Sequence, residues 1–160
     1  MFPGRYGGMG GGVTLQYDQG TVDMITLYGA PKSERENGRI DSKLLCESDE
    51  GEILPTTSVR QLCGSVHSFI YAVDCLVDTH DVTFCGDDFK AMIDDRWLPA
   101  KAQVLVLCIV PDGSHDAVSA LEVADKLNLS ELSRPWQVRQ CHVSSLYGFI
   151  PGLKWVTSNM

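Results

Sequence analysis

The sequence predicts an α/β fold of three layers, a mostly parallel sheet flanked by helices. Three observations carry that prediction. Gln103-Val-Leu-Val-Leu-Cys-Ile-Val110 is a continuous apolar run, the pattern a parallel strand needs when helices cover both its faces. Ser68-Phe-Ile-Tyr-Ala-Val73 is a second buried run, and its aromatic and β-branched content favours strand over helix. The last third, from Ser119 to Trp155, then reads as helix, strand, helix, and such alternation implies parallel strands joined by helical crossovers.

Residues 1–12 are dense in glycine and have little apolar surface to bury, so they read as a flexible segment ahead of a single domain at 13–160. Val13-Thr-Leu-Gln-Tyr17 alternates as a short strand, and Asp23-Met-Ile-Thr-Leu-Tyr28 is a second, ended by Gly29-Ala-Pro31. From Pro31 to Glu52 the chain is charged and reads as one long loop. Thr57 or Ser58 caps a helix running to Gly64, with Val59, Leu62, Cys63 and Val66 at helical spacing. A helix over Asp87–Asp95 turns Phe89, Met92 and Ile93 inward.

Beyond the strand at 103–110, Pro111-Asp112-Gly113 stops the ladder. Ser119 and Glu122 have the spacing of a capping box, Leu121, Ala124 and Leu127 line one face of the helix that follows, and Asn128 suits a left-handed cap. Trp136–Val143 is the last strand and an edge of the sheet. Phe149, Ile150, Leu153 and Val156 mark a closing helix with Pro151 in its first turn.

Composition bounds the function. The chain has 160 residues, 44% hydrophobic and 21% charged, with a net charge of −8, and such a surface repels phosphate backbones and anionic lipid. Nucleic acid and membrane are therefore not expected partners. Cys46, Cys63, Cys75, Cys85, Cys108 and Cys141 are spread without a paired spacing, so they read as reduced residues of an intracellular protein, cytoplasmic with access to the nucleus.

Enzymatic chemistry finds no foothold. Cys141 and His142 are adjacent on a strand and point to opposite faces, so they do not form a nucleophile and base. His67, His80 and His115 lack the spacing of metal ligands, and no catalytic, metal or cofactor-binding residue is assigned.

The order and spacing of Glu122, Asp125-Lys126-Leu127, Leu129, Leu132, Pro135-Trp136, Gly148, Gly152-Leu153 and Trp155 resemble the C-terminal part of Arf-type small GTPases. Over more of the chain, about residues 8–157, the match is to the GTPase-like, substrate-binding C-terminal domain of the F-box only protein 4 family. Gly8-Met-Gly10-Gly-Gly12-Val13, Leu27-Tyr28, Lys32-Ser-Glu-Arg-Glu36 and Phe69-Ile-Tyr-Ala72 carry that resemblance.

In the first of these families a phosphate loop needs a glycine, four residues and then Gly-Lys-Ser/Thr. Here the first strand candidates are followed by Gly29-Ala-Pro-Lys-Ser33, too short and with a proline where an amide donor is wanted. Guanine recognition would take an Asn-Lys-x-Asp after the strong apolar strand, where this chain reads Val110-Pro-Asp-Gly113; the loop that meets the base reads His142-Val-Ser144, and Ser48-Asp-Glu-Gly51 lacks the place of the Asp-x-x-Gly switch.

The second resemblance implies a non-catalytic domain that captures protein substrates, a telomere repeat-binding factor among them, for a cullin-RING ubiquitin ligase through an intermolecular sheet. It places the protein contact at Ala120 and Ala124, with Leu121 beside them and Trp136 and Val138 on the edge strand. An F-box has no pattern in this sequence, so the chain is expected to be a fragment, isoform or relative that reaches the ligase core only through an F-box outside it. The alternative is an Arf-like small GTPase with a divergent nucleotide site, and an exposed edge strand also leaves open a homodimer.

Overall fold

The computed structural model describes residues 9–17, 20–27, 45–74, 87–110, 120–142, 144–145 and 148–158. The chain divides into two compact units, Met1–Leu62 and Cys63–Met160.

In the first unit β1 (Met9–Tyr17) pairs antiparallel with β2 (Gly20–Leu27), Tyr17 standing opposite Gly20. β1 begins within the segment expected to be flexible. The register shifts between Met9 and Gly12, where Gly10 and Gly11 supply the backbone freedom that a bulge uses. Thr14 donates to Asp23 Oδ1 at 2.7 Å across the ladder.

A second hairpin, β3 (Leu45–Glu47) with β4 (Ile53–Pro55), occupies the end of the stretch expected to be a loop. Its turn is Ser48-Asp-Glu-Gly51. Gly51 at φ 82 donates its amide to the Ser48 carbonyl at 2.9 Å, and the Glu52 amide reaches Ser48 Oγ at 3.1 Å. The segment that mimics an Asp-x-x-Gly switch is thus a hairpin tip. Helix α1 (Thr57–Cys63) follows as the helical spacing predicts, with Val59 and Cys63 buried.

The second unit holds a three-stranded parallel sheet in the order β5 (Ser68–Asp74), β6 (Gln103–Val110), β7 (Trp136–His142). Helix α2 (Asp87–Met92) connects β5 to β6, α3 (Ala120–Lys126) with a 3₁₀ turn at Leu129–Glu131 connects β6 to β7, and α4 (Phe149–Thr157) closes the chain.

Side-chain contacts assign the helices to layers. Phe89 of α2 packs its ring on Phe69 and Tyr71 of β5, with centroids 6.4 and 5.0 Å away. The cross-strand partners of those residues are Val104 and Val106, and theirs are Trp136 and Val138, so all six share the α2 face. On the other face Gly152 of α4 lies so close to Leu105 that a Cβ there would sit 2.9 Å from Leu105 Cδ2 and 3.4 Å from Arg139 Cδ. Ser68 on that face donates to the Val156 carbonyl of α4 at 3.2 Å. Both crossovers run the same way along the sheet, and their right-handedness puts α3 in the α2 layer.

β6, covered from both sides, is buried along nearly its whole length. The three-layer α/β prediction therefore describes this unit. Asn128 does adopt the left-handed conformation, at φ 53 and ψ 41. Ser119 and Asp112 lie outside the described residues.

Two apolar residues of the helical patterns face solvent. Leu121, which shares a face with Ala124 and Leu127 in the sequence pattern, is 77% exposed, while Val123, Ala124 and Leu127 are buried. Ile150, one of the apolar residues that mark α4, is 46% exposed, while Gly152, Leu153 and Val156 are buried. In a helix of two turns an apolar residue one position out of phase still fits a 3.6-residue pattern, and the tighter-packing Val123 and Gly152 decide the phase.

Candidate protein-recognition edge

β7 is the last strand of the sheet, and among the described residues it pairs with β6 alone. Which of its backbone groups are engaged follows from one bond. The Val104 amide donates to the Pro135 carbonyl at 3.0 Å. In a parallel ladder the alternation then directs the N–H and C=O of Gln137, Arg139 and Cys141 toward β6, and those of Trp136, Val138 and Gln140 toward the open side.

The open side has an end. Gly148, at φ 86 before the first turn of α4, lies against Gln140: a Cβ on it would sit 1.8 Å from the Gln140 carbonyl oxygen. Only glycine allows that approach. The outward carbonyl of Gln140 is therefore covered, and the open edge runs from Trp136 to the amide of Gln140.

Both layers border this edge. Trp136 and Val138 are half-buried on the α2 and α3 face. Gln137 and Arg139 stand on the α4 face, where Arg139 Nε donates to Gln137 Oε1 at 2.9 Å. The five residues proposed from sequence thus fall on adjacent elements, since α3 packs against β7. Ala124, 8% exposed, packs on the inner side of α3; Ala120 is half-buried; Leu121 is the large apolar side chain α3 offers to solvent, beside exposed Glu122, Asp125 and Lys126. Sequence reasoning missed Arg139 and Gly148. The signal for Gly148 was a glycine directly ahead of a helix start; for Arg139 it was a cation within an otherwise neutral strand.

The base of the edge is anchored by Arg134, whose side chain is 2% exposed. It donates to the carbonyls of Pro99 at 2.7 Å, Ala102 at 3.3 Å and Ile93 at 3.4 Å, and to the carboxylate of Asp95. One guanidinium so ties the start of β7 to the connection entering β6. Nearby, Arg96 lies over the Trp97 ring at 4.6 Å and holds Asp94 below the usual carboxylate range.

The other candidate chemistries can be located. Cys141 is buried, and burial pushes its thiol up, away from the reactive thiolate; His142 is half-buried on the opposite face. Burial also raises Cys63. Cys46, Cys63, Cys108 and Cys141 stand outside any disulfide among the described residues, while Cys75 and Cys85 lie outside those residues. So do Gly29–Ser33 and Pro111–Gly113, where phosphate and guanine contacts would fall.

A parallel sheet with helices on both faces, closed by a glycine-led helix after its edge strand, is the C-terminal half of a small-GTPase-like domain. The model of the ADP-ribosylation factor family matches residues 58–160, and the chain belongs to that family. Along more of its length it is similar to F-box only protein 4. The proteins of Homo sapiens, Bos taurus and Mus musculus are each 25% identical over 166 residues, which cover 93% of this chain and 42% of theirs. The chain thus spans less than half the length of these relatives.

Proposed function

We propose that this chain is a protein-recognition domain of the F-box protein type, presenting the open edge of β7 and the exposed side of α3 to substrates of an SCF-type ubiquitin ligase and performing no chemistry itself. The observation that carries the reading is a contrast within one fold. The edge strand and both bordering helices are intact, while the sequence contains no Gly-Lys-Ser/Thr phosphate loop and no Asn-Lys-x-Asp. A fold that cannot cradle phosphates still offers unpaired amides and carbonyls to a partner strand. Similarity to F-box only protein 4 supports the link to ubiquitination. A telomere repeat-binding factor is the proposed substrate, and cytoplasm and nucleus are the proposed compartments.

Ala120, Leu121, Ala124, Trp136 and Val138 form the proposed contact. Pull-down of purified telomere repeat-binding factor by the chain tests it. Leu121→Arg, at an exposed position, is expected to abolish capture while leaving the fold intact, and Ala124→Arg to abolish it as well. Undiminished capture by the Leu121 variant would remove α3 from the contact.

The family match favours one competing reading, an Arf-like GTPase with a divergent nucleotide site. Titration with labelled GTP and GDP in the presence of magnesium separates the two. The recognition reading expects no saturation, and saturation in the micromolar range would overturn it.

A further inference from the structure

Arg139 is a cation on the edge strand of a chain with net charge −8, and among the described residues it has no carboxylate partner. Among the described residues its side chain bonds to the neutral Gln137 amide. It sits between Val138 and Gln140, whose outward amides belong to the open edge, and it points to the α4 face. Any strand that paired with Trp136 and Val138 would bring its alternate side chains beside Arg139 on that face and beside Trp136 and Val138 on the other.

We propose that the β7 edge selects a short extended segment that is apolar on the side facing Trp136 and Val138 and acidic at the position beside Arg139. The inference rests on the protein-recognition reading and gives its ligand a chemistry. Three features fix it. The hydrogen-bonding window spans both backbone groups of Trp136 and Val138 and the amide of Gln140. Gly148, covering the Gln140 carbonyl, ends the window and so sets the register of the incoming strand. Within the window, Arg139 is the one charged side chain, so opposite charge next to it gains attraction and like charge is repelled, which sets specificity. The half-burial of Arg139 between Gln137 and the α4 layer limits solvent screening of that pair.

The test uses the full chain and three blocked synthetic peptides of the pattern threonine, valine, X, valine, threonine, with X glutamate, glutamine or lysine, followed by fluorescence polarisation. The glutamate peptide is expected to bind about tenfold or more tighter than the lysine peptide, with glutamine between them, and the difference to shrink in high salt. Arg139→Glu is expected to invert the order, and Arg139→Gln to abolish it. Val138→Pro removes an outward amide without touching the ladder to β6 and is expected to weaken all three peptides alike. Equal binding of the three, an order unchanged in Arg139→Glu, or no binding overturns the proposal; so does light scattering that shows the edge filled by a second copy. If the peptide preference fails while Leu121→Arg still abolishes capture, the acidic-strand inference falls alone. If the chain also saturates with GTP, the recognition reading falls with it.

Discussion

Replacing Arg134 by alanine tests whether one buried guanidinium holds the base of the recognition edge. Its side chain is 2% exposed, and its partner Asp95 is 67% exposed. The carboxylate therefore recovers water when the arginine is removed, but the carbonyls of Ile93 and Ala102 lose the guanidinium donor and that of Pro99 keeps only the Ala102 amide. Hydrogen bonds from a charged donor contribute about 1.5–3 kcal/mol each. Counting the 2.7 Å bond to Pro99 in full and those at 3.3 and 3.4 Å at reduced strength gives a cost of about 3–4 kcal/mol. Asp95→Asn is expected to cost under about 1 kcal/mol, as an exposed partner does.

All three tryptophans, Trp97, Trp136 and Trp155, lie in the second unit, so intrinsic fluorescence during urea unfolding reports on that unit. With a slope of about 1–2 kcal/mol/M, the arginine variant's midpoint should fall by about 1.5–4 M. If Arg134→Ala and Asp95→Asn lower it equally, the residue acts as an ordinary ion pair and the carbonyl argument is wrong.

Gly148→Ala is expected to destabilise by more than about 2 kcal/mol, because alanine at φ 86 is strained and its Cβ meets the Gln140 carbonyl; thermal unfolding followed by circular dichroism checks it. Arg96 lowers the pKa of Asp94 in the folded chain, so the stabilisation is present above the ordinary aspartate pKa of about 3.9 and is lost as pH falls through the lower folded value. Asp94→Asn should flatten that acid limb of stability against pH and leave neutral pH little changed. Burial raises the thiols of Cys63 and Cys141, so iodoacetamide at neutral pH should modify both more slowly than half-buried Cys46, as mass spectrometry of the digested protein would show.

Legibility in the sequence followed burial. β6 was readable to the residue because helices on both faces make it a continuous apolar run from Val104 to Val110, with Gln103 the one polar residue at its start. Asn128 was readable because few residues tolerate the left-handed region. The β3 and β4 hairpin was not: each strand has three residues, set in a charged stretch, and its only mark was Gly51 after two acidic residues. Which sides Leu121 and Ile150 take was not legible, because hydrophobicity alone does not separate a core residue from an exposed one within two helical turns. The edge itself was legible as the last strand of an alternating series. Its usable window was not, since it depends on a contact between Gly148 and Gln140 that no local pattern encodes.

That window also explains why recognition is proposed at the edge and not on a face. In β6 both faces are consumed by helices and both backbone directions by neighbouring strands, so nothing remains to meet a partner. β7 differs in one respect only: its faces are bordered by α3 and α4, but one backbone direction is unpaired among the described residues. A partner adding in the plane of the sheet would extend the existing layers, covering Leu121 beside α3 and bringing its own charge to Arg139. Hydrogen bonding along Trp136–Gln140 is common to any strand and carries little selectivity, whereas the two flanking side chains differ in chemistry. Selectivity between substrates would then reside in Arg139 and the α3 surface, and substitutions there should change which partner binds more than how the strand is held.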